Sequence, residues 1–364
     1  MSFRHWLSII TLAVLVLVVV IAWPEILRAL GYLSQVNPWI LALLVPVQLV
    51  SYWATGQVLF SYLRDRGSLA GLHPLAAARM SLEFNFVNHV LPSGGAAGIS
   101  YIGWKLSQYG VSPGRSTMAQ LVRFALLFIS TSLLLVVAVI VLLATGSVSA
   151  LAIWLSVGVT VVSVGAVALA IFVVSSPRRL DLGTTLLTRI ANGAVRIVTF
   201  GRKRDVVKRE VFEHFFGDLH ADYLLLREAP HALIKPFIWS VVGNLADVGL
   251  FYVAFLALGV AVNPASLFIA YALSALASVV VVTPNGAGAY EAIMIGFLSS
   301  AGVPAGIAIA GTLLARVILM VGTILFGYVF YQLTLLRFGK GSFDLKAARA
   351  GKLPAPPAED DNNS

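Results

Sequence analysis

Residues 283–303 read TPNGAGAYEAIMIGFLSSAGV, and residues 91–111, LPSGGAAGISYIGWKLSQYGV, repeat them. At a shift of 192 residues Pro92 falls on Pro284, Gly94 on Gly286, Ala97 on Ala289, Leu106 on Leu298, Ser107 on Ser299, Gly110 on Gly302 and Val111 on Val303. One inserted residue later the match reaches an arginine in each copy, Arg123 in QLVRFALL and Arg316 in LLARVILM, both inside long apolar runs. An arginine deep in hydrocarbon costs at least about 2.5 kcal/mol and is rare there unless a partner or ligand holds it. Two arginines at matched places point to one buried site assembled from two halves.

The surrounding composition sets the solvent. Of 364 residues 59% are apolar and 11% charged, against about 25% charged in soluble domains. Apolar runs of roughly 17 to 25 residues, the length that crosses a bilayer as helix, occupy most of the chain. It is therefore read as an integral membrane protein. The net charge of +9 then records cytoplasmic loops and their contact with anionic lipid rather than nucleic acid. The absence of cysteine excludes disulfides, thiol catalysis and cysteine metal ligands.

Residues 7–23 form an apolar run after the basic MSFRHW, with no small-x-small site behind it, and read as a retained anchor. A second span covers about 39–63 and leads into Arg64, Arg66 and Arg79 on the cytoplasmic side. Residues 74–105 are too polar for an ordinary span, since Glu83, Asn85, Asn88 and His89 precede the turn residues Pro92, Gly94 and Gly95. Two half-helices that dip in and return to the same face fit better, with Lys105 and Arg115 back in the cytoplasm. Backbone that leaves helical geometry at membrane depth is tolerated only inside protein or beside a watery cavity. Spans at about 116–144 and 149–174 follow.

Residues 175–235 carry eleven Lys or Arg against seven Asp or Glu and face the cytoplasm. Within them Val207, Val211, Phe212, Phe215, Phe216, Leu219 and Tyr223 recur at helical spacing, as in a helix lying in the interface. Residues 236–259 cross outward with Asn244 and Asp247 on one helix face. Short apolar arms at 265–282 and 288–300 flank the second turn, with Pro284, Asn285, Gly286 and Gly288. A last span covers 304–336, and the polar, Pro-rich residues 341–364 read as a disordered cytoplasmic tail. In this layout 22 of the 25 Lys and Arg are cytoplasmic, Arg123 and Arg316 are intramembrane, and Arg28 alone lies outside. The expected fold is an all-α polytopic membrane domain over residues 1–340. It has six to eight membrane helices, with two re-entrant half-helix hairpins entering from opposite faces. The halves, about 39–144 and 236–336, form an inverted repeat, an arrangement that places transporter sites at the midplane between them.

The ionisable groups inside this layout are Glu83, Arg123, Asp247, Glu291 and Arg316, with Asn88 and Asn244 beside them. One reading is a salt-bridge network that locks the hairpins, including a local Arg79–Glu83 pair at i,i+4. The other is a cradle for a phosphate: half-helix N-termini after Gly95 and Gly286 supply free N–H groups, and the two arginines supply charge. The small residues Gly94, Gly95, Ala96, Gly286, Ala287 and Gly288 let backbone approach an oxyanion or another helix. The six histidines show no paired-ligand spacing, so no metal is expected, and no nucleophile elbow or Walker motif is present. The chain reads as a transporter rather than an enzyme, without a cofactor.

With these residues in hand, the chain resembles the flippase-like family that includes the membrane region of lysylphosphatidylglycerol synthases and related stand-alone proteins, some associated with hopanoid synthesis. The resemblance rests on EFNFVNHVLPSGGAAG, with Glu83, Asn88, Pro92, Gly94 and Gly95; on TPNGAGAYE, with Pro284, Gly286, Gly288 and Glu291; and on Arg316. It implies a multi-pass protein of the bacterial inner membrane, with both termini cytoplasmic, that moves a phospholipid or lipid-linked precursor between leaflets. The implied partners are anionic or aminoacylated phospholipids, or polyprenyl- or hopanoid-type lipids, together with lipid-synthesis enzymes or further copies of the chain. No aminoacyl-transferase domain is expected after residue 340. The alternative is a non-transporting accessory subunit that holds lipid- or envelope-synthesis enzymes at the membrane through residues 175–235.

Overall fold

The computed structural model describes residues 20, 23–32, 34, 36–69, 72–91, 96–146, 149–181, 209–280 and 286–338. The expected anchor at 7–23, apart from residues 20 and 23, lies outside them, as do the turn residues Pro92, Gly94, Gly95, Pro284 and Asn285 and the tail. The described residues are helical, with no strand among them.

Twelve α-helices are named in chain order: α1 Trp23–Tyr32, α2 Pro38–Ala42, α3 Leu44–Asp65, α4 Pro74–Val90, α5 Ala96–Ser107, α6 Pro113–Ala144, α7 Ala150–Val174, α8 Arg209–Glu228, α9 Ile234–Ala257, α10 Pro264–Val280, α11 Ala289–Ser300 and α12 Ala305–Phe338. Five stretches are long and apolar enough to cross a membrane: Pro38–Asp65, Pro113–Ala144, Ala150–Val174, Pro230–Ala257 and Ala305–Thr334. Leu133, Val136, Ile140, Trp154, Val161, Leu169 and Phe172 on α6 and α7 stand exposed. An apolar face of that extent is stable against lipid rather than water.

The sequence repeat is a structural repeat. Helices α3 to α6 and α9 to α12 have matched lengths: 22 and 24 residues, then 17 and 17, 12 and 12, and 32 and 34. The short arms α5 and α11 end alike. Gly110 and Gly302 have φ of 78° and 92°, and the Val111 and Val303 N–H groups donate to the Leu106 and Leu298 carbonyls at 3.2 and 3.0 Å. That αL residue closes a helix by satisfying its last carbonyls. Gly286 (φ 69°) approaches Ser278 of α10, where a Cβ would collide with the serine side chain.

The halves pack reciprocally. Helix α3 lies along α9, α12 covers α4 of the first hairpin, and α6 covers α10 of the second. Phe86 and Val87 of α4, Tyr101 of α5 and Tyr331 of α12 form one apolar cluster. Leu135 and Leu142 of α6 join Phe255, Leu267, Met294 and Leu298 in another. Between the halves Gln48 donates to the Leu319 carbonyl at 3.0 Å, and Tyr52 bonds Thr323. Helix α8 docks on the start of α6, where Gly114 admits Asp218 and the Phe215 carbonyl and Arg115 pairs with Asp222 at 3.3 Å. Burial pushes the Asp222 carboxyl above the usual range, against the pull of Arg115.

Gly327 of α12 sits against Phe86 and the Leu82 carbonyl, 3.0 Å from where its Cβ would stand. Gly327→Leu should therefore wedge α12 off the first hairpin and cost about 1–3 kcal/mol, read as a lowered thermal midpoint in detergent.

Candidate functional site

Seven polar residues were expected to share one interior, and the structure distributes them among four settings. Glu83 is fully buried at the centre of a tie between α4, α5 and α12. It pairs with Arg79 at 2.9 Å and Lys105 at 3.2 Å, accepts from Tyr101 at 2.7 Å, and accepts from Thr334. Arg79 and Lys105 also donate to Thr334 at 3.1 and 2.8 Å. Lys105, expected to face cytoplasmic water, is only 3% exposed. The apolar surface of α5 can bury that cation because a carboxylate waits beneath α12. Sequence reasoning missed Lys105, Tyr101 and Thr334, although Tyr101 and Lys105 share a helix face at i,i+4.

Glu291 and Arg316 form the second setting, 2.6 Å apart between α11 and α12. The other Glu291 oxygen accepts the Gly288 N–H at 2.7 Å, capping α11. Arg316 also lies over the Tyr290 ring, 4.4 Å from its centroid. This arginine is a neutralised post inside the second half.

Arg123 occupies the equivalent place in the first half under different conditions. It lies roughly 15 Å along α6 from Pro113, as Arg316 lies roughly 17 Å along α12 from Ala305, at 1.5 Å per residue. Its side chain is packed between the Phe84 and Phe124 rings, 4.3 and 4.9 Å from their centroids. Only 6% of the residue is exposed, and its Nε has no hydrogen-bond partner. It forms no ion pair among the described residues. The repeat explains why: the position matching Glu291 is Ile99, which offers no carboxylate.

Two carbonyl oxygens near this arginine are also buried without a donor, Asn88 Oδ1 and Gln120 Oε1. Asn88 is one turn from Phe84 and lies flat on α5 at Gly98, where a Cβ would strike its amide. Gln120, one turn before Arg123, donates through its amide to the Ile99 carbonyl at 3.3 Å. The seam between α4, α5 and α6 thus holds a bare cation and two bare acceptors. Gln120 had not been singled out, though its i,i+3 spacing to Arg123 was readable.

Asp247 is the fourth setting. Its carboxylate accepts from Ser51 of α3 and from Tyr271 of α10, the latter at 2.8 Å. Its neighbour Asn244 donates to Ser130 Oγ at 2.7 Å and the Leu127 carbonyl at 3.4 Å, which ties α9 to α6. Gly286 and Gly288 border the second hairpin.

Fold and site together define a multi-pass, all-helical membrane protein of two interlocked four-helix repeats, with buried charges set between them. The family model for the lysylphosphatidylglycerol synthase TM region matches residues 6–327, and the chain belongs to that family, which is membrane-associated and lipid-related. No curated protein and no solved structure matches it.

The contrast between the arginines predicts opposite stability effects. Arg316→Met strands the Glu291 carboxylate and should cost on the order of 3 kcal/mol, whereas Arg123→Met removes an unpaired buried charge and should be neutral or stabilising. Thermal unfolding of both variants in one detergent checks this.

Proposed function

We propose that the protein is a lipid translocase, carrying a phospholipid or lipid-linked precursor between leaflets of the bacterial inner membrane. The observation that carries the reading is Arg123, a guanidinium against two aromatic rings with no ion pair among the described residues, where the other repeat pairs its arginine with Glu291. A buried cation of this kind is stabilised by an anion that arrives and leaves, and phosphate matches the guanidinium fork. Asn88 and Gln120 extend the match, since their bare acceptors suit the hydroxyl or amino donors of a glycerol or aminoacylated headgroup.

The hairpins supply the pathway. At 12 residues α5 and α11 reach about 18 Å, short of the roughly 30 Å hydrocarbon layer, so each hairpin enters and returns on one side. With the basic loops in the cytoplasm, the two hairpins dip from opposite faces, as the inverted repeat requires. The headgroup occupies the seam beside Arg123 while the acyl chains stay in the bilayer. Arg316, already neutralised, holds α11 against α12.

Purified protein in vesicles with labelled phosphatidylglycerol tests this. Wild type should accelerate exchange between leaflets, and Arg123→Ala should slow it at least tenfold, the loss expected when one partner of a buried charge pair is removed. A folded wild type that moves no phosphatidylglycerol, aminoacyl-phosphatidylglycerol or polyprenyl-phosphate lipid would reject the reading in favour of an accessory subunit.

A further inference from the structure

Two of the long apolar stretches meet at one edge of the molecule, where Pro38–Asp65 ends and Pro230–Ala257 begins. A hollow of about 510 Å³ opens between them, lined by Asp65 and Arg66 at the end of α3, His231 of the Pro230–Leu233 turn, and Ile234 and Lys235 at the start of α9. Helix α3 opens the first repeat and α9 the second, and the two lie along each other. The hollow therefore straddles the junction of the halves.

The cations around it differ in what they already hold. Arg64 turns back on its own helix, donating to Gln57 Oε1 at 2.6 Å and to the Phe60 carbonyl at 3.4 Å. Arg115 holds Asp222 at 3.3 Å and Ser68 at 3.1 Å. Lys235 meets Asp65 at 3.5 Å with most of its side chain in solvent, a pair that contributes little and yields to a better acceptor. Arg66 forms no ion pair among the described residues, and its Nε and Nη2 are shielded from solvent without a hydrogen-bond partner. Its guanidinium lies over the Tyr62 ring, 5.6 Å from the centroid, and the Tyr62 hydroxyl is likewise buried without a partner. The Asp222 carboxyl feels the charge of Arg66 but is bound by Arg115. Withdrawing donors from water without giving them an acceptor is costly, and Nε with Nη2 is the guanidinium edge that takes two oxygens of one phosphate side by side.

We propose that this hollow binds an anionic phospholipid, with its phosphate on the Nε–Nη2 edge of Arg66 and its acyl chains along α9. Its surroundings are those of a lipid headgroup. The hollow lies where two membrane-length stretches end, the level at which hydrocarbon gives way to water, and basic pockets between membrane helices at that level take lipid headgroups. Ile234 on its wall is exposed, and so is Ile238 one turn further along α9, which leaves an apolar track for a chain. His231 and Lys235, themselves one turn apart, add a ring N–H and an ammonium group beside the phosphate. Because Arg66 closes α3 and Lys235 opens α9, the bound lipid bridges the first helices of both repeats. The site shares no residue with the seam at Arg123 and does not rest on the translocase reading.

The test uses the full-length chain carrying Arg123→Met, so that the seam contributes no cation, in a neutral detergent. Its thermal midpoint is followed as phosphatidylglycerol, phosphatidylcholine or inorganic phosphate is added. Phosphatidylglycerol should raise the midpoint saturably, by mass action on the folded state, and phosphatidylcholine should not. Adding Arg66→Gln should weaken the apparent affinity for phosphatidylglycerol about tenfold or more, the loss of one charge-assisted contact. Adding Arg64→Gln, which removes the same charge at the same edge, should leave it unchanged. Equal losses in the two variants mean general attraction of anions to a basic edge and overturn the proposal. So does a flat response to phosphatidylglycerol, and so does inorganic phosphate acting as strongly as the lipid, which makes the hollow a free-anion site. Should Arg66→Gln fail to fold, wild type exposed to phosphatidylglycerol with a photoactivatable acyl chain decides. Adducts must map to α9 around Ile234 and Ile238, and adducts confined to other helices overturn the assignment.

Discussion

Charge buried among apolar helices is costly unless it is paired, and Glu83, Asp247 and Glu291, the carboxylates inside the repeats, all find donors within the protein. Helices α5 and α11 stop after 12 residues, and each packs against the closing helix of its own repeat. The long closing helix of each repeat supplies the cover for the other repeat's hairpin, α12 over α4 and α6 over α10. Glu83 records the interlock: its donors come from α4, α5 and the far end of α12, 251 residues away.

Near-symmetry of the repeats makes their differences informative. Both closing helices carry an arginine at the same depth, both arginines lie on aromatic rings, and both hairpins turn out through a glycine with positive φ. At the position that pairs with Arg316, Glu291 stands in one copy and Ile99 in the other. Among the described residues the first copy's arginine forms no ion pair, whereas the second copy's is paired with Glu291.

The buried polar residues separate into satisfied and unsatisfied groups. Ties between halves, such as Gln48 and Tyr52 with α12, are completed within the protein. The seam between α4, α5 and α6 is incomplete at Arg123, Asn88 and Gln120 together. Buried polar atoms without partners are few in native proteins, and three of those found here share this seam.

Much of the architecture was legible in the chain. Hydropathy and run length anticipated the long apolar helices, the 192-residue repeat anticipated the two matched sets of four helices, and the arginines stood out because charge is rare in apolar runs. These are local properties, carried by a few neighbouring residues and read without knowing what they touch. Which charges meet could not be read that way. Glu83 with Lys105 and Thr334, Asp247 with Ser51 and Tyr271, and Arg123 with no ion pair among the described residues each depend on which helix face turns toward which neighbour. Helix rotation is set by packing across hundreds of residues of sequence. The chain thus determined that charges would lie in the membrane, and only the tertiary structure decided which of them were already spent on one another.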